Sequence, residues 1–251
     1  MKKNNVIIMT SVLAAGCLAS TQAHAGNLFG IDVSDYQGAI NWTSVASSGV
    51  KFAYAKATEG YDFSEQSHFK TNMTSGKAAG IQMGAYHFAH SGLDTPAQEA
   101  SYFWNFAGAY IKADGKSIDP AIDFDVFSGH DGTSTYTAWF NQWAADVKSK
   151  TTAYMHPVLI ATSCGGMCDM TTNCTLSEWV VEYNGQNLFT GHPWGDCDSC
   201  NYVDPGTDLG WTFWQVSSTG RIGGISGNVD FDAYNGSTVA ELKSNEGVGG
   251  L

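Results

Sequence analysis

Basic residues are scarce in this sequence, and their scarcity limits what the protein can bind. The 251 residues include 12 lysines and arginines against 24 aspartates and glutamates, which gives a formal net charge of −12. A protein that binds nucleic acid needs a basic face to displace the counterions of the phosphate backbone. We therefore expect no nucleic-acid partner and no cationic route to anionic surfaces. Any anionic target must be recognised locally, against the field of the whole molecule.

Long hydrophobic runs are absent after residue 25, and the one near the start of the chain is short. Met1–Lys3 is basic, residues 6–19 are largely apolar, and Ala23–Ala25 has the small-x-small pattern of a cleavage site. These three regions predict a secretory signal peptide over residues 1–25. Thr10 and Ser11 interrupt the apolar stretch, which is too short for a membrane span. We expect no membrane span in the mature protein, which would be secreted or periplasmic.

A different processing of the same segment is a minor alternative, in which a lipid is attached at Cys17. The sequence has Ala14 where a large apolar residue would normally stand, three positions before that cysteine. The rest of the chain has no internal repeat and is of a size typical of one barrel or one large α/β domain. We expect this domain to span residues 26–242, to be followed by a short flexible tail over 243–251, and to be a monomer.

Cysteine is rare outside one stretch of the chain. Cys17 is the only cysteine that lies apart from that stretch. In an exported protein the default expectation for clustered cysteines is disulfide bonds. A zinc site is the alternative, because two pairs of these cysteines are closely spaced. Five mature cysteines leave the connectivity undetermined, and either arrangement would act as a staple on two long loops. The disulfide candidates are Cys164, Cys168, Cys174, Cys197 and Cys200.

Eight strand-like runs can be marked, and several are apolar throughout, as expected of parallel strands buried on both faces. Turn-forming residues or helical patterns separate them. The runs are Asn27–Ser34, Val50–Ala57, Gln82–Ala89, Pro120–Val126, Pro157–Thr162, Glu178–Tyr183, Trp211–Ser217 and Asn228–Tyr234.

Helical patterns occupy the gaps between the early strands. One is predicted over 64–79 and another over 134–148, whose aromatic stripe is expected in the core. A third begins with Thr95 as N-cap, Pro96 in the first position and Gln98 in the third. After the fifth strand the helical patterns fade. The sequence therefore predicts an α/β fold, an irregular TIM-like β/α barrel with eight strands and with the helices lost after strand five.

Asp123 and Asp125 stand two residues apart in the apolar fourth run. In a strand such residues point to the same side, with Cα atoms about 6.6 Å apart. Paired carboxylates that cannot ionise independently can divide into an acid and a base or stabiliser. The alternatives are a solvated strand end, a cation site or a structural hydrogen-bond network.

The predicted barrel would gather more acids around this pair. Active sites of such barrels lie at the C-terminal ends of the strands. Asp32 lies near the end of strand one, and Asp230 and Asp232 lie on strand eight, which is the neighbour of strand one in a closed barrel. We therefore expect four acids to converge at one mouth, namely Asp32, Asp123, Asp125 and Asp230.

A series of short motifs in one order resembles the glycoside hydrolase family 25 muramidases over most of the mature chain. The matching segments are Gly30–Ser34, Tyr36–Gly38, Ile40–Trp42, Lys56–Gly60, Gly84–Phe88, Trp179–Tyr183, Phe213–Val216 and Val229–Gly236. The resemblance implies cleavage of the β-1,4 bond between N-acetylmuramic acid and N-acetylglucosamine, on an irregular β/α barrel. It implies peptidoglycan glycan strands as the partner and no cofactor or metal.

The resemblance also implies roles for individual residues. Asp125 matches the general acid, and Asp123 matches the aspartate that orients the N-acetyl group or stabilises the charged intermediate. Asp32 and Asp230 would hold the catalytic hydrogen-bond network. The residues expected to contact sugar are Tyr86, Tyr183, Lys56, Gln215 and Glu59, although the two tyrosines could equally be ordinary barrel packing.

The chain departs from the family motif at strand four, where Asp-x-Glu is replaced by Asp-x-Asp. Aspartate is shorter by one methylene, about 1.5 Å of reach, and a misplacement of about 1 Å can cost on the order of 100-fold in rate. Neither Glu182 nor Glu59 is a convincing substitute for the missing glutamate. The rival readings are a barrel that binds glycans without efficient cleavage and, more weakly, a metal cluster.

Overall fold

The computed structural model describes residues 26–64, 67–124, 133–151, 159–163, 177–193 and 211–249, in which strands and helices alternate. The strands are β1 (Leu28–Val33), β2 (Phe52–Glu59), β3 (Phe63–Ser64), β4 (Gln82–Phe88), β5 (Ala121–Asp123), β6 (Leu159–Ser163), β7 (Ser177–Val181), β8 (Trp211–Gly220) and β9 (Val229–Tyr234). The helices are α1 (Trp42–Ser47), α2 (Phe69–Ala78), α3 (Pro96–Ala107), α4 (Thr133–Lys148) and α5 (Val239–Glu246), with two short 3₁₀ helices at Asp35–Gln37 and Gly108–Tyr110.

All of these strands belong to one curled, mixed sheet. The order is β1-β9-β8-β7-β6-β5-β4-β2-β3, and β1 also pairs with β2, so the sheet returns on itself. The α/β fold is confirmed, and each of the eight predicted strand runs overlaps a strand of this barrel-like sheet. The short β3 is additional and pairs with the end of β2.

The direction of the last strand differs from the all-parallel pattern of a regular β/α barrel. β9 is antiparallel to both of its neighbours, β1 and β8. Because β9 runs the other way, its first residues lie beside the C-terminal end of β1. Asp230 therefore reaches the mouth from the start of its strand.

Helix α3 forms as its sequence predicts. Thr95 is the N-cap, Pro96 occupies the first turn, and the side chains of Thr95 and Gln98 each accept a hydrogen bond from the other residue's backbone N–H. This reciprocal arrangement satisfies two backbone donors that the first helical turn leaves without partners. On α4, Phe140, Trp143 and Val147 are fully buried, which confirms the prediction that its aromatic stripe belongs to the core.

The inside of the curled sheet is filled by aromatic rings. Tyr54 lies 4.7 Å from Trp179 and 5.6 Å from Phe213, centroid to centroid. The rings need space on the neighbouring strands, and Gly84 provides it. A Cβ atom there would stand 2.2 Å from the Tyr54 ring. This packed interior supports the residues at the mouth of the curled sheet.

The end of the chain differs from the predicted flexible tail, which begins at residue 243 inside helix α5. The backbone N–H of Asp119 donates to the carbonyl of Glu246, and the N–H of Val248 donates to the carbonyl of Ser117. Val248 is buried, so the segment packs against the loop before β5 as far as this residue. Its glycines made it resemble a tail, but its long-range contacts order it.

Several predictions fall on segments outside the described residues. They include the signal peptide, Asp125 and the five clustered cysteines, together with residues 164–176 and 194–210, where loss of helices was expected. In the ranges given above, no helix is both long and apolar enough to cross a membrane.

Candidate active site

Asp32 and Asp230 are directly opposite each other on β1 and β9. Asp232 follows two residues later on β9, on the same side of the strand and opposite Gly30. The charges of Asp230 and Asp232 both act on Asp32. Asp232 is fully buried and its Oδ1 accepts a hydrogen bond of 3.0 Å from Nε1 of Trp179. Three carboxyl groups thus form one connected cluster.

This crowding raises the pKa of all three aspartates. Burial is the largest cause for each of them, because it removes water from the charged form. For Asp32 the charges of Asp232, Asp230 and Asp123 add to the effect. The cluster is therefore built to hold protons at a pH where isolated aspartates have lost them.

Two neutral side chains, those of Gln215 and Tyr183, form a chain of hydrogen bonds that orients Asp32. Gln215 on β8 donates from Nε2 to Oδ2 of Asp32 at 2.8 Å, and this hydrogen bond lowers the pKa of Asp32 against the larger effects of burial. Tyr183 in turn donates its hydroxyl to Oε1 of Gln215 at 2.5 Å. The amide of Gln215 is thus fixed in the orientation that points its N–H groups at the carboxylate.

Asp123 is the last residue of β5, and it lies on the side of the mouth. Its neighbour Phe124 points the opposite way and packs 5.6 Å from Tyr136 and 5.7 Å from Trp139, centroid to centroid. Asp123 lines a cavity of about 260 Å³ together with Asp32 and Asp230. The structure thus brings three of the four predicted acids to one cavity, and the fourth, Asp125, lies outside the described residues.

The walls of this cavity are made largely of residues that were expected to contact sugar. Tyr86, Tyr183 and Gln215 line it, with Trp179 and Val181. The aromatic rings supply apolar surface and the amide and hydroxyl groups supply directed hydrogen bonds, as in many small-molecule sites.

A second cavity of about 180 Å³ opens beside the first on the side of β1 and β9. The two cavities share Asp32, Tyr86 and Asp230. The remaining walls of the second cavity are Ser34, Tyr36, Gln37, Ser218 and Asn228. The cleft therefore extends to both sides of the Asp32–Asp230 pair.

Lys56 and Glu59, also expected to contact sugar, form an ion pair of 2.5 Å with each other. The other oxygen of Glu59, Oε1, lies 3.2 Å from Nε2 of His90. Lys56 stands over the ring of Phe88, 5.1 Å from its centroid. Neither Lys56 nor Glu59 lines the two cavities, so their contact with substrate remains a prediction.

Behind the mouth lies a buried pair that the sequence reading did not find. Nε2 of His87 is 2.6 Å from Oε2 of Glu99, and both side chains are inaccessible to solvent. Nδ1 of His87 lies 2.8 Å from the hydroxyl of Thr58. Burial lowers the pKa of His87 to about 3 and raises the pKa of Glu99 to about 7. These values describe a neutral histidine beside a protonated carboxyl group.

Asp232 and Trp179 were also not assigned to the site in advance. The available signal was the spacing of Asp230 and Asp232, which matches that of Asp123 and Asp125 and places both acids on one side of a strand. The partner Trp179 is 53 residues away along the chain, and no local pattern indicates such a contact. In the described part of the chain, no group of three or more histidine, cysteine or acidic side chains is arranged to hold a metal ion.

Comparison with known proteins gives one consistent result. The family model described as glycosyl hydrolases family 25 matches residues 31–225. The chain is 36% identical to Lysozyme M1 of Streptomyces globisporus, over 88% of this chain and 72% of that protein. It is 28% identical to the N,O-diacetylmuramidase of Arthroderma benhamiae, over 91% and 93% respectively. The crystal structure of a lysozyme from Streptomyces coelicolor superposes with a TM-score of 0.68 at 32% identity, covering 87% of this chain and 97% of that one.

Proposed function

The chain belongs to family 25 of the glycosyl hydrolases, and from this membership we propose that it is a muramidase that cleaves the β-1,4 bond between N-acetylmuramic acid and N-acetylglucosamine in peptidoglycan. The family match covers most of the described domain. A bacterial relative that is 36% identical to this chain is a lysozyme. The substrate is therefore the glycan strand of the bacterial cell wall.

The observation that carries this function is the acid-lined cavity at the mouth of the curled sheet. Asp32, Asp123 and Asp230 line one space with two tyrosines and a glutamine. Glycoside hydrolysis needs one proton donor for the leaving oxygen and one group that stabilises an oxocarbenium-like transition state. A cavity with several carboxyl groups, some of which retain protons, can supply both.

We assign the roles within this cavity as follows. Asp125 donates a proton to the glycosidic oxygen as the bond to the anomeric carbon breaks. A water molecule then supplies the hydroxyl group of the new reducing end, and its remaining proton returns to Asp125. Asp123 assists by orienting the acetamido group of the substrate. In the sequence, Asp125 follows Asp123 by two residues, the spacing that predicts a common side of a strand.

Asp32 and Asp230 act as a pair of facing carboxyl groups. The pair keeps negative charge close to the reacting sugar, and Asp232 beneath it limits how much charge can accumulate. Gln215 favours the ionised form of Asp32 through its hydrogen bond. We infer that this arrangement sets the protonation state that the reaction needs.

Identification of the product tests the bond specificity. Purified protein incubated with peptidoglycan should release fragments whose reducing end is N-acetylmuramic acid, as read by mass spectrometry after borohydride reduction. Fragments that end in N-acetylglucosamine would assign the cleavage to the other glycosidic bond and would overturn this function.

A second candidate function is binding of cell-wall glycans with weak or no cleavage. The aspartate at position 125 favours it, because the family motif has the longer glutamate there. Retention of the protein on insoluble peptidoglycan without release of reducing ends would support this candidate. Sustained turnover would eliminate it.

We also propose that the protein is exported after cleavage behind Ala25 and acts as a monomer. N-terminal sequencing of protein recovered from the medium or periplasm should begin at Gly26. A lipid-modified N-terminus at Cys17 would instead indicate that the protein is anchored to a membrane. Titration of free thiols before and after reduction would show whether the five clustered cysteines form disulfides.

A further inference from the structure

Tyr36 is an exposed aromatic residue on a rigid support. Its side chain is 81% exposed, although it lines the second cavity next to Asp32 and Asp230. A tyrosine side chain that is this exposed makes little apolar contact with the protein. Its contribution to folding therefore does not explain why an aromatic residue stands here.

The short 3₁₀ helix that carries Tyr36 is fixed at both ends. Ser34 Oγ accepts the N–H of Tyr36 at 3.1 Å, and Oε1 of Gln37 accepts the N–H of Ser34 at 2.8 Å. Gln37 also donates from Nε2 to the carbonyl of Asn228 at 3.2 Å, which ties the helix to the loop before β9. These bonds hold the backbone of Tyr36, while its side chain stays exposed at the edge of the second cavity.

The two cavities suit a substrate longer than one sugar. Their volumes are about 260 and 180 Å³, and each is smaller than the roughly 300–1,000 Å³ typical of ligand pockets. They share Asp32, Tyr86 and Asp230, so a chain of sugars that crosses the acids must occupy both sides. Tyr36 and Asn228 are the groups of the second cavity that present an aromatic ring and a primary amide.

We propose that Tyr36 forms a stacking platform for a second sugar ring of the glycan strand, adjacent to the sugar at the Asp32–Asp230 pair, with the amide of Asn228 facing the same ring. This proposal rests on the proposed function, because it takes the glycan strand as the ligand. A pyranose ring has an apolar face of C–H groups that can cover an aromatic ring, while its hydroxyl groups reach the amide. Tyrosine suits such a role because it offers a large contact area with few rotatable bonds.

The test measures binding and turnover separately. Binding of a soluble peptidoglycan hexasaccharide is measured by calorimetry in the Asp125→Asn background, with and without Tyr36→Ala. We expect Tyr36→Ala to weaken binding about three- to tenfold, the range that corresponds to an aromatic contact. Tyr36→Phe, which keeps the ring, should stay within about twofold of the parent. In the active background, Tyr36→Ala should raise KM by a similar factor and leave kcat nearly unchanged.

Leu93→Ala is the matched control, since Leu93 is 83% exposed and lines neither cavity. Unchanged hexasaccharide affinity in Tyr36→Ala, or an equal loss in Tyr36→Phe, would overturn the stacking platform. Failure of the wild-type protein to cleave peptidoglycan would refute the proposed function alone, because the calorimetric comparison does not depend on turnover.

Discussion

Asp32 and Asp230 face each other across an antiparallel strand pair, and the charge of Asp230 raises the pKa of Asp32. The reversed direction of β9 creates this contact, because it places the start of β9 beside the end of β1. Burial also raises the pKa of both carboxyl groups, which favours a retained proton on the pair. The protonation of this pair is therefore sensitive to every neighbour that donates to it.

Replacement of Gln215 by leucine tests that sensitivity. The change removes the N–H group that stabilises ionised Asp32 at 2.8 Å. The pKa of Asp32 should rise further, so the acid limb of the pH–rate profile should move to higher pH. We expect kcat/KM at pH 5 to fall about tenfold, the scale of a hydrogen bond to a charged group, with a smaller fall at pH 7.

Gln142→Leu is a control for this experiment. Gln142 is an exposed glutamine on α4 that bonds only to Asp146 among the contacts described. Its replacement should leave the pH–rate profile in place. If Gln215→Leu lowered the rate equally at all pH values, the hydrogen bond would not control the protonation of Asp32.

Asp232→Asn should stabilise the protein near neutral pH. Burial and the charge of Asp230 raise the pKa of Asp232. The stability that this carboxyl group contributes is fully present below its unfolded pKa of about 3.9 and is lost as the pH rises through the higher folded value. Asparagine keeps the oxygen that accepts from Trp179 and carries no charge. We expect a gain of about 1–3 kcal/mol in unfolding free energy at pH 7.

Urea denaturation at pH 7 and pH 4 measures this effect. The gain over wild type should shrink at pH 4, where the wild-type carboxyl group is protonated more fully. Asp62→Asn, at an exposed position, controls for the change in net charge. A loss of stability at pH 7 in Asp232→Asn would contradict the buried, raised-pKa carboxyl group.

Local signals explain most of the fold that could be predicted from the sequence. Apolar runs marked the barrel strands, and Thr95, Pro96 and Gln98 marked the start of α3, because these patterns depend on neighbouring residues only. The direction of β9 could not be predicted in this way. Alternation of inward and outward residues is the same in parallel and antiparallel strands. The sequence therefore placed Asp230 at the correct mouth but did not reveal that this residue lies at the start of its strand.

The candidate site was predictable where its residues followed strand alternation. Asp32, Asp123 and Asp230 reach one cavity, as expected from strand ends that share one edge of a sheet. Lys56 and Glu59 were named from resemblance, and their mutual ion pair depends on side-chain geometry that a motif does not contain. The His87–Glu99 pair joins a strand to a helix through tertiary packing, which periodicity does not reveal.

Glu99→Gln should make the protein sensitive to mild acid. In the folded protein the pKa of His87 is about 3 and that of Glu99 is about 7, against ordinary values of 6.5 and 4.5. Between pH 4.5 and 6.5 the pair thus carries one proton in both the folded and the unfolded state. Its contribution to stability is therefore independent of pH in this window.

In the Glu99→Gln variant only His87 titrates, and the unfolded state binds the proton more tightly. Because the folded pKa of His87 is depressed, stability should fall by up to about 1.4 kcal/mol per pH unit as the pH drops from 6.5 to 4.5. Chemical denaturation across this window measures the slope. Glu241→Gln, in the exposed first turn of α5, should show no such slope. A flat profile for Glu99→Gln would mean that His87 is protonated in the folded protein.

We propose that Asp125 is the proton donor, and the resemblance implies a glutamate at this position in the family motif. If reach limits the rate, Asp125→Glu should increase kcat, by up to about 100-fold for a correction of about 1 Å. An unchanged or lower rate would count against the reach of this side chain as the limit on the rate.

Reducing-end release from purified peptidoglycan by wild-type protein and by Asp125→Asn is the most direct measurement. Asparagine has nearly the same shape and cannot donate the proton, so we expect clear release by the wild type and a fall of at least about 100-fold in the variant. Equal release by the two proteins would contradict Asp125 as the proton donor, and no release by either would contradict the muramidase itself.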